Sequence, residues 1–346
     1  MQVIFYGGLR AISETEASIT AFHSFRNARI PAAVIRFVQC LLLALVALQS
    51  PAAHADRGGI DAWCADLTRH LHSVSAKTCH AQDFVVADEH TAQGNALVSR
   101  DFGPRNDSAA AEGAKRILLI GGIHGDEFTS VSIVFHWMDW VRQRDASQYH
   151  WRVIPLANPD GLKAKPSTRF NANGVDINRN FQTPDWDRDA QNYWSRRTRQ
   201  DPRRYPGKAA GSEVETRWLE AQIDEFKPDM IISVHAPYNL LDYDGPVSQP
   251  IRFGRLSLNR LGVYPGSLGN YGGLFKQIPV VTIELPNATV MPAPREQLAM
   301  WKDMLKWMNS NFDTLASRPQ PEKSADAIAV LAPVGGKTEI KETDAN

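Results

Sequence analysis

Short apolar runs alternate along this chain with stretches whose apolar residues recur at helical spacing. Such runs are typical of buried strands, and amphipathic stretches between them are typical of helices packed against a sheet. The predicted strands cover 117–120, 151–156, 230–234 and 280–285, and the predicted helices cover 60–74, 128–141, 212–226 and 295–315. We therefore predict an α/β fold: an α/β/α sandwich with a mixed, largely parallel central sheet.

The long segment between the second and third predicted strands contains one clear helix start. Ser212 and Glu215 have the spacing of a capping box, so a helix is expected to begin there and to end near Phe226, before Pro228. The preceding stretch, 163–211, is polar and rich in arginine, is predicted to be irregular, and is longer than a simple connection. A loop of that length is predicted to be functional.

The N-terminus has the pattern of a secretory signal. The apolar run 37–48 follows Arg36 and is too short to span a bilayer, and it is followed by the small-x-small sequence Ala-His-Ala that ends at Ala55. We predict that 1–55 is a signal peptide cleaved after Ala55, and that 1–33 is an extension upstream of the true start. The expected location is therefore the periplasm or the exterior, with no membrane anchor after cleavage.

The rest of the chain is predicted to have three parts. Residues 56–100 are expected to form a small N-terminal element that contains Cys64 and Cys79. In an oxidising compartment these two cysteines are expected to form a disulfide, and the alternative is a pair of buried thiols. Residues 101–317 are the predicted catalytic domain. Residues 318–346 are rich in Pro, Lys, Glu, Asp and Ala and are predicted to be a disordered tail.

The charge balance argues against one class of partner. Lysines and arginines number 38, and aspartates and glutamates also number 38. A protein that binds nucleic acid normally carries a basic excess. No nucleic-acid partner is therefore predicted.

Polar side chains stand where three of the predicted strands end. His124 and Glu127 lie in GGIHGDE, His235 lies in IISVHAP, and Glu284 lies in VVTIELP. Ligands of open α/β sheets bind beyond the carboxyl ends of the strands. Two imidazoles and one carboxylate are the ligand set of a catalytic zinc ion, and a nearby glutamate is suited to accept a proton from water. Taken singly, each of these residues is more often structural, and it is their joint placement that predicts a metal site.

The segment 169–181, RFNANGVDINRNF, adds candidate substrate contacts. Asn178 and Arg179 offer an amide and a guanidinium fork that suit a substrate carboxylate. Arg169 is suited to stabilise the oxyanion that develops when water attacks a carbonyl. The alternative is a solvated basic loop, which the apolar residues within the segment disfavour.

Six motifs, GGIHGDE, NPDG, GVDINRNF, SEVET, SVHAP and VTIELP, occur in this order, and together they resemble the metallocarboxypeptidase family M14. The resemblance covers about 115–310. It implies an α/β/α fold with one zinc ion per chain, and zinc ligands at His124, Glu127 and His235. It also implies that Glu284 is the general base and that Arg169 polarises the scissile carbonyl. The residues implied to bind the free carboxylate of the substrate are Asn178 and Arg179.

Within that family, the short form with YPGSLGNYGG before the last strand is similar to bacterial murein peptide amidases and related cell-wall carboxypeptidases. This likeness implies an exported zinc-dependent peptidase that cuts peptidoglycan stem peptides, at the bond between γ-D-glutamate and diaminopimelate or as a carboxypeptidase. Digestive members of the family carry a tyrosine on a mobile loop before the base. Tyr264 and Tyr271 both compete for that place, and Tyr271 is preferred.

Two acids after the third ligand suggest a substrate contact. Asp242 and Asp244 in NLLDYDGP are expected to pair with the free ammonium group of a diaminopimelate side chain. The alternative is that both carboxylates face solvent.

Two other functions remain open at this point. Succinylglutamate desuccinylases and aspartoacylases share a glycine-His-Gly-x-Glu turn and deacylate N-acyl amino acids. A murein-binding scaffold without catalysis is the second alternative, although degenerate scaffolds are expected to lack the base or a ligand. Here His124, Glu127, His235 and Glu284 are all present.

Overall fold

The computed structural model describes residues 57–104, 113–143 and 146–316. The predicted signal peptide, its cleavage site and the predicted tail lie outside the described residues. The strands are β1 (Val85–His90), β2 (Ala96–Phe102), β3 (Arg116–Ile120), β4 (His150–Ile154), β5 (Met230–His235), β6 (Leu240–Asp244), β7 (Arg252–Phe253), β8 (Leu256–Ser257) and β9 (Val280–Glu284). The α-helices are α1 (Arg57–His70), α2 (Ala76–His80), α3 (Phe128–Val141), α4 (Pro159–Lys163), α5 (Trp186–Arg196), α6 (Val214–Phe226) and α7 (Pro294–Ala316).

Seven of these strands form one sheet in the order β1-β2-β4-β3-β5-β9-β6. The four central strands, β4, β3, β5 and β9, run parallel to one another. The strands outside them, β2 with β1 on one side and β6 on the other, pair antiparallel. The sheet is therefore mixed and largely parallel at its centre, which confirms the predicted fold class.

Side chains of the central strands alternate between the two faces of the sheet, as the two-residue period of a strand requires. Ile117 and Leu119 belong to an apolar cluster that also contains the buried residues of α1, α3 and α7. Leu118 and Ile120 belong to a second cluster, which α6 covers. Helices on both faces explain why the central strands read as continuous apolar runs in the sequence.

The part of the chain before residue 103 is joined to this core. Trp63 of α1 packs edge-on against Phe84, with ring centroids 5.3 Å apart, and also contacts Phe135 of α3. Cys64 and Cys79 form a disulfide that links α1 to α2. Strands β1 and β2 extend the sheet, so the predicted boundary near residue 100 does not coincide with an edge of the sheet.

Two local predictions between β4 and β5 were wrong. Helix α6 begins at Val214 without a side-chain cap, because the Ser212 hydroxyl donates to the Glu213 carboxylate instead. Glu215 is turned inward and accepts a hydrogen bond from Asn171 Nδ2. The stretch 163–211 is not uniformly irregular, since α5 and two single 3-10 turns, at Ile177–Arg179 and Pro202–Arg204, lie within it.

A short π-helix, Gly269–Phe275, precedes the last strand of the sheet. It contacts both β6 and β9. Among the described residues, none of the helices combines the length and the apolar character needed to cross a membrane.

Candidate active site

The predicted metal-binding residues lie at adjacent strand ends. Strand β3 ends at Ile120, and the turn after it contains His124 and Glu127, immediately before α3. The turn is tight, because a Cβ on Gly122 (φ +60°) would lie 2.8 Å from the side chains of Leu156 and Val131. Helix α3 begins only at Phe128, so both predicted ligands belong to the turn and not to the first helical residues.

The third predicted ligand and the predicted base stand side by side. His235 is the last residue of β5 and Glu284 is the last residue of β9. The two strands are parallel and pair in a register that places His235 opposite Glu284. The strand ends therefore bring the third predicted metal ligand and the predicted base to the same edge of the sheet.

Three buried donors converge in this place. His124 Nδ1 lies 2.7 Å from Glu127 Oε1, and His235 Nδ1 lies 3.1 Å from Glu127 Oε2. The two Nδ1 atoms are 3.1 Å apart. Ligands about 2.0–2.1 Å from a tetrahedral zinc ion are about 3.3 Å from one another, so these spacings fit one zinc ion. The three residues form a group that could hold a metal ion.

Each histidine uses its other ring nitrogen for a contact that fixes the ring. His124 Nε2 lies 3.3 Å from Asp176 Oδ1, and His235 Nε2 lies 2.9 Å from Ser233 Oγ. A second partner of this kind sets the tautomer and the orientation of a metal-binding imidazole. Sequence reasoning missed both Asp176 and Ser233 as site residues. Asp176 stands inside the quoted segment GVDINRNF, two residues before Asn178, which is the one signal that could have identified it.

The charges around the metal group are balanced by the protein. Asp176 is fully buried and accepts a hydrogen bond from Arg169 Nε at 2.9 Å. Burial alone would raise the pKa of Asp176, but the Arg169 guanidinium and His124 hold it well below its usual range. Burial acts in the same way on Glu127, whose pKa is held well below its usual range by His124 and His235. Both carboxylates are therefore ionised.

Glu284 has a different environment. It is 5% exposed, and its Oε2 is 3.4 Å from the backbone N–H of Tyr238, which donates to it. Burial and the negative charge of Glu127 raise the pKa of Glu284 to about 8. A cation held by the three ligands would act in the opposite direction. A raised pKa makes this carboxylate a stronger base than an exposed glutamate.

A cavity of about 380 Å³ opens in front of this group. Most of the predicted site residues line it: His124, His235, Glu284, Arg169, Asn178 and Arg179. Asn178 Oδ1 accepts a hydrogen bond from the Leu268 N–H, which turns the Asn178 amide group so that its NH₂ remains for a ligand. The structure thus brings the predicted base and carboxylate-binding residues into one space.

Arg179 is held in place by the residues around it. Its guanidinium carbon lies 4.4 Å from the centre of the Tyr264 ring, and its Nη1 donates to the Asn178 carbonyl at 2.7 Å. The side chain is buried, and its Nε has no hydrogen-bond partner among the described residues. A buried guanidinium N–H without a partner is costly, so this group is suited to a ligand carboxylate.

The preferred tyrosine of the sequence prediction, Tyr271, is not in the cavity. It lies in the π-helix, 4% exposed, with its ring 5.5 Å from the ring of Phe181 in the apolar cluster beneath α6. Tyr264 lines the cavity instead, and so does the half-exposed Tyr238, which sequence reasoning did not single out. The preference for Tyr271 was therefore wrong, because its place in the π-helix directs the ring into the core.

Two groups of acids near the cavity differ from the metal ligands. Asp242 and Asp244 line the cavity. Asp126, which stands next to Glu127 in the sequence, forms an ion pair with Arg203 at 2.8 Å and is not part of the metal group.

Comparisons with known proteins agree with this geometry. The model of the zinc carboxypeptidase family matches residues 85–247. Murein peptide amidase A of Vibrio campbellii is 31% identical over 186 residues, which cover 51% of this chain and 72% of that protein. Murein peptide amidase A of Escherichia coli (strain K12) is 35% identical over 122 residues, which cover 35% of this chain and 48% of that protein. The match thus spans about half the length of the Escherichia coli relative.

Among solved structures, bovine thrombin-activatable fibrinolysis inhibitor in complex with tick carboxypeptidase inhibitor has a similar fold. The TM-score is 0.51 at 15% identity, and the match covers 75% of this chain and 96% of that one. The strand-end motifs, the fold and the relatives agree, and the chain belongs to the zinc carboxypeptidase family. The resemblance found in the sequence is confirmed.

Proposed function

We propose that this protein hydrolyses amide bonds of peptidoglycan stem peptides, as a zinc-dependent amidase or carboxypeptidase with one zinc ion per chain. The observation that carries the proposal is the convergence of three buried donors, a buried glutamate and a carboxylate-binding pair in one cavity. The donors are His124, Glu127 and His235, whose spacings fit tetrahedral zinc. When bound, the ion supplies a Lewis acid that polarises a carbonyl and lowers the pKa of water.

The residues of the chain have distinct roles in the proposed reaction. Glu284 accepts the proton of the attacking water and passes it to the nitrogen of the leaving amine. Arg169 is buried beside the metal group, with Nη1 3.7 Å from Glu127 Oε1, and its remaining N–H groups are available to the developing oxyanion. Its ion pair with Asp176 fixes the guanidinium before the substrate arrives.

The carboxylate-binding pair, Asn178 and Arg179, defines where the substrate must carry a negative charge. Asn178 and Arg179 bind the free carboxylate of the residue on the leaving side of the scissile bond. Diaminopimelate joined to γ-D-glutamate has such a carboxylate beside its acylated amine. The names of the relatives from Vibrio campbellii and Escherichia coli support a murein peptide as the source of that residue.

The proposed location follows from the sequence and from the disulfide. Residues 37–48 and Ala55 have the pattern of a cleaved export signal. The Cys64–Cys79 disulfide is typical of a protein that matures in an oxidising compartment. We therefore infer a periplasmic or secreted enzyme, where it would meet peptidoglycan fragments.

The proposal is tested by mass spectrometry of purified muropeptides incubated with the zinc-loaded protein. The expected result is the appearance of two fragments that together carry the mass of one added water, with free diaminopimelate or a diaminopimelate-ended product among them. The Glu284→Gln protein serves as the matched control and is expected to leave the muropeptides intact. A set of N-acyl amino acids in the same assay tests the deacylase alternative.

Three outcomes would contradict the proposal. If the protein binds zinc and the muropeptides remain intact, the cell-wall assignment fails. Cleavage of N-acyl amino acids without cleavage of any peptide would favour the deacylase instead. Equal behaviour of the wild-type and Glu284→Gln proteins in every assay would favour the scaffold.

A further inference from the structure

The NPDG turn, residues 158–161, follows strand β4, and none of its side chains takes part in the proposed chemistry. The Asn158 side chain is completely buried. Its Oδ1 accepts the Gly161 N–H at 2.8 Å, which caps the start of α4. Neither Asn158 nor Gly161 lines the catalytic cavity. An effect of this turn on catalysis must therefore pass through its neighbours.

One neighbour is the metal turn, residues 121–127, which carries two of the predicted metal ligands. The Asn158 backbone N–H donates to the Gly122 carbonyl at 2.9 Å. A Cβ on Gly125 would lie 2.2 Å from the Gly161 carbonyl carbon, so a side chain has no space there. The NPDG turn and the metal turn are thus in direct backbone contact.

The other neighbour is the segment 168–170, which contains Arg169. Asn158 Nδ2 donates to the Arg169 carbonyl at 3.1 Å. The Thr168 N–H donates to the Gly161 carbonyl at 2.9 Å. A Cβ on Gly161 would lie 2.8 Å from the Thr168 carbonyl oxygen. The backbone around Arg169 therefore packs closely on the NPDG turn.

Arg169 is held at both ends of the residue. Its guanidinium lines the cavity and is fixed by the ion pair with Asp176 at 2.9 Å. Its carbonyl is fixed by the Asn158 amide. Asn158 thus contacts the metal turn through its backbone and Arg169 through its side chain. Both contacts come from one residue, so they fix the Arg169 backbone relative to the metal turn.

The chemistry of the side chain favours asparagine at this position. An amide carries an acceptor and donors on one planar group. Asn158 uses the acceptor toward Gly161 and a donor toward Arg169. An aspartate would keep the acceptor, but in its ionised form it would offer no donor. Because the group is buried, water does not replace a lost donor, and the Arg169 carbonyl would lose its partner.

We propose that Asn158 is a positioning residue for Arg169: its amide fixes the Arg169 backbone relative to the metal turn, so that the guanidinium reaches the oxyanion that develops at the scissile carbonyl. This inference rests on the proposed function and adds a residue to it. The oxyanion develops in the transition state and is absent from the bound substrate. A displaced Arg169 therefore lowers kcat and leaves KM unchanged.

The first test is the Asn158→Asp protein, which keeps the size of the side chain and the acceptor for Gly161. For the zinc-loaded protein, kcat for γ-D-glutamyl-diaminopimelate is expected to fall about 10- to 100-fold, with KM within about twofold of the wild type. The deficit is expected to shrink as the pH falls, because a protonated carboxyl group again donates to the Arg169 carbonyl. Zinc affinity, measured by competition with a chelator, is expected to stay at the wild-type level because the backbone bond to Gly122 remains.

Gln297→Glu is the matched control, because it makes the same change from amide to carboxylate at a buried side chain outside the cavity. Gln297 is 3% exposed, and its Nε2 donates to the Pro292 carbonyl at 2.7 Å. Its replacement is expected to lower the free energy of unfolding without changing kcat. A fall in kcat of the same size in this control would mean that lost stability explains both variants, and it would overturn the proposal.

A double-mutant cycle separates an effect through Arg169 from a general one. In the Arg169→Gln protein, the further substitution Asn158→Asp is expected to change kcat less than about twofold, because the group that Asn158 positions is gone. Equal losses in the wild-type and Arg169→Gln backgrounds would overturn the proposal. So would a fall in the zinc affinity of Asn158→Asp that accounts for its loss of kcat.

Amide hydrogen exchange of the zinc-loaded proteins without substrate is a readout that does not depend on turnover. In Asn158→Asp, exchange in the segment 168–171 is expected to be faster than in the wild type, whereas Gln297→Glu keeps the wild-type rate there. If the wild-type protein cleaves no stem peptide and this difference is found, the proposed reaction fails and the anchoring of Arg169 by Asn158 stands. Unchanged exchange in 168–171 of Asn158→Asp overturns the inference.

Discussion

The two ends of the cavity treat their carboxylates in opposite ways. At the metal end, Glu127 and Asp176 are buried against His124, His235 and Arg169, and the pKa values of both acids are held well below their usual range. At the far end, burial without an ion pair raises the pKa values of both acids, Asp242 and Asp244. Desolvation of a charged carboxylate costs free energy at both ends. At the metal end, cationic side chains offset this cost, and at the far end no ion pair among the described residues offsets it.

This difference separates carboxylates that position other side chains from carboxylates that are available for chemistry or binding. Carboxylates that the chain neutralises hold neighbouring groups in place, as Asp176 holds His124 and Arg169. Carboxylates that it leaves without a counter-charge are available to a proton or to a ligand cation. Glu284 belongs to the second kind although it lies beside the metal group, because burial and Glu127 raise its pKa to about 8.

The largest effect is expected at Glu284. Glu284→Gln keeps the shape of the side chain but removes the proton acceptor, so kcat for a cleaved stem peptide is expected to fall about 10²- to 10⁴-fold. Zinc content, measured by atomic emission, is expected to stay at the wild-type level because the three donors are untouched. Loss of zinc together with activity would show that Glu284 is a metal ligand instead.

A smaller effect is expected when a carboxylate that positions other side chains is removed. Asp176→Asn removes the charge that faces His124 Nε2 and the partner of Arg169 Nε. Loss of such a contact lowers metal affinity about 10- to 100-fold, which a competition titration with a chelator measures. Ser233→Ala, which removes the uncharged partner of His235, is the comparison variant and is expected to have the weaker effect. Unchanged zinc affinity in Asp176→Asn would contradict the assignment.

The sequence was sufficient to predict the central strands and the group of three predicted metal ligands, because both can be recognised from patterns of a few consecutive residues. Apolar runs of the central strands stand out when both faces are covered, and His124, Glu127 and His235 stand at their ends. Strands β1 and β2 were not predicted. Strand β1 lies at the edge of the sheet and is largely exposed, so it has no continuous apolar run.

The residues that the sequence left undetermined depend on tertiary contacts. The choice between Tyr264 and Tyr271 is decided by how the π-helix sits on β9, which no periodicity in YPGSLGNYGG reveals. The predicted capping box does not form, because the buried Glu215 carboxylate accepts a hydrogen bond from Asn171 instead. The contact between Asp176 and His124 joins residues 52 positions apart, and it has no local signature beyond the motif that contains it.

The smallest effect concerns a buried acid that no ligand reaches. Burial raises the pKa of Glu215 to about 6, and its Oε1 has no partner among the described residues. Because the folded-state pKa is raised, its stabilising contribution is complete below the usual value of 4.5 and is lost as the pH rises through 6. Glu215→Gln removes this loss. Relative to the wild type, its free energy of unfolding is therefore expected to gain about 2 kcal/mol between pH 4 and pH 8.

Chemical denaturation at several pH values measures this difference. Glu213→Gln is the neighbouring control, because hydrogen bonds from Ser212, Asn171 and Asn173 outweigh burial and lower the pKa of Glu213. That variant is expected to lose stability relative to the wild type as the pH rises. The same pH trend in both variants would mean that burial without a cation does not distinguish these acids.

The central claim is that the metal end of the cavity, where His124, Glu127 and His235 converge, becomes a hydrolytic centre when it holds one zinc ion. Its most direct test is a zinc titration of the metal-free protein, with bound zinc counted by native mass spectrometry and hydrolysis of γ-D-glutamyl-diaminopimelate followed in the same samples. The account predicts that hydrolysis rises in proportion to bound zinc and stops rising at one ion per chain. Full hydrolysis without metal, or one bound zinc ion without hydrolysis, would contradict it.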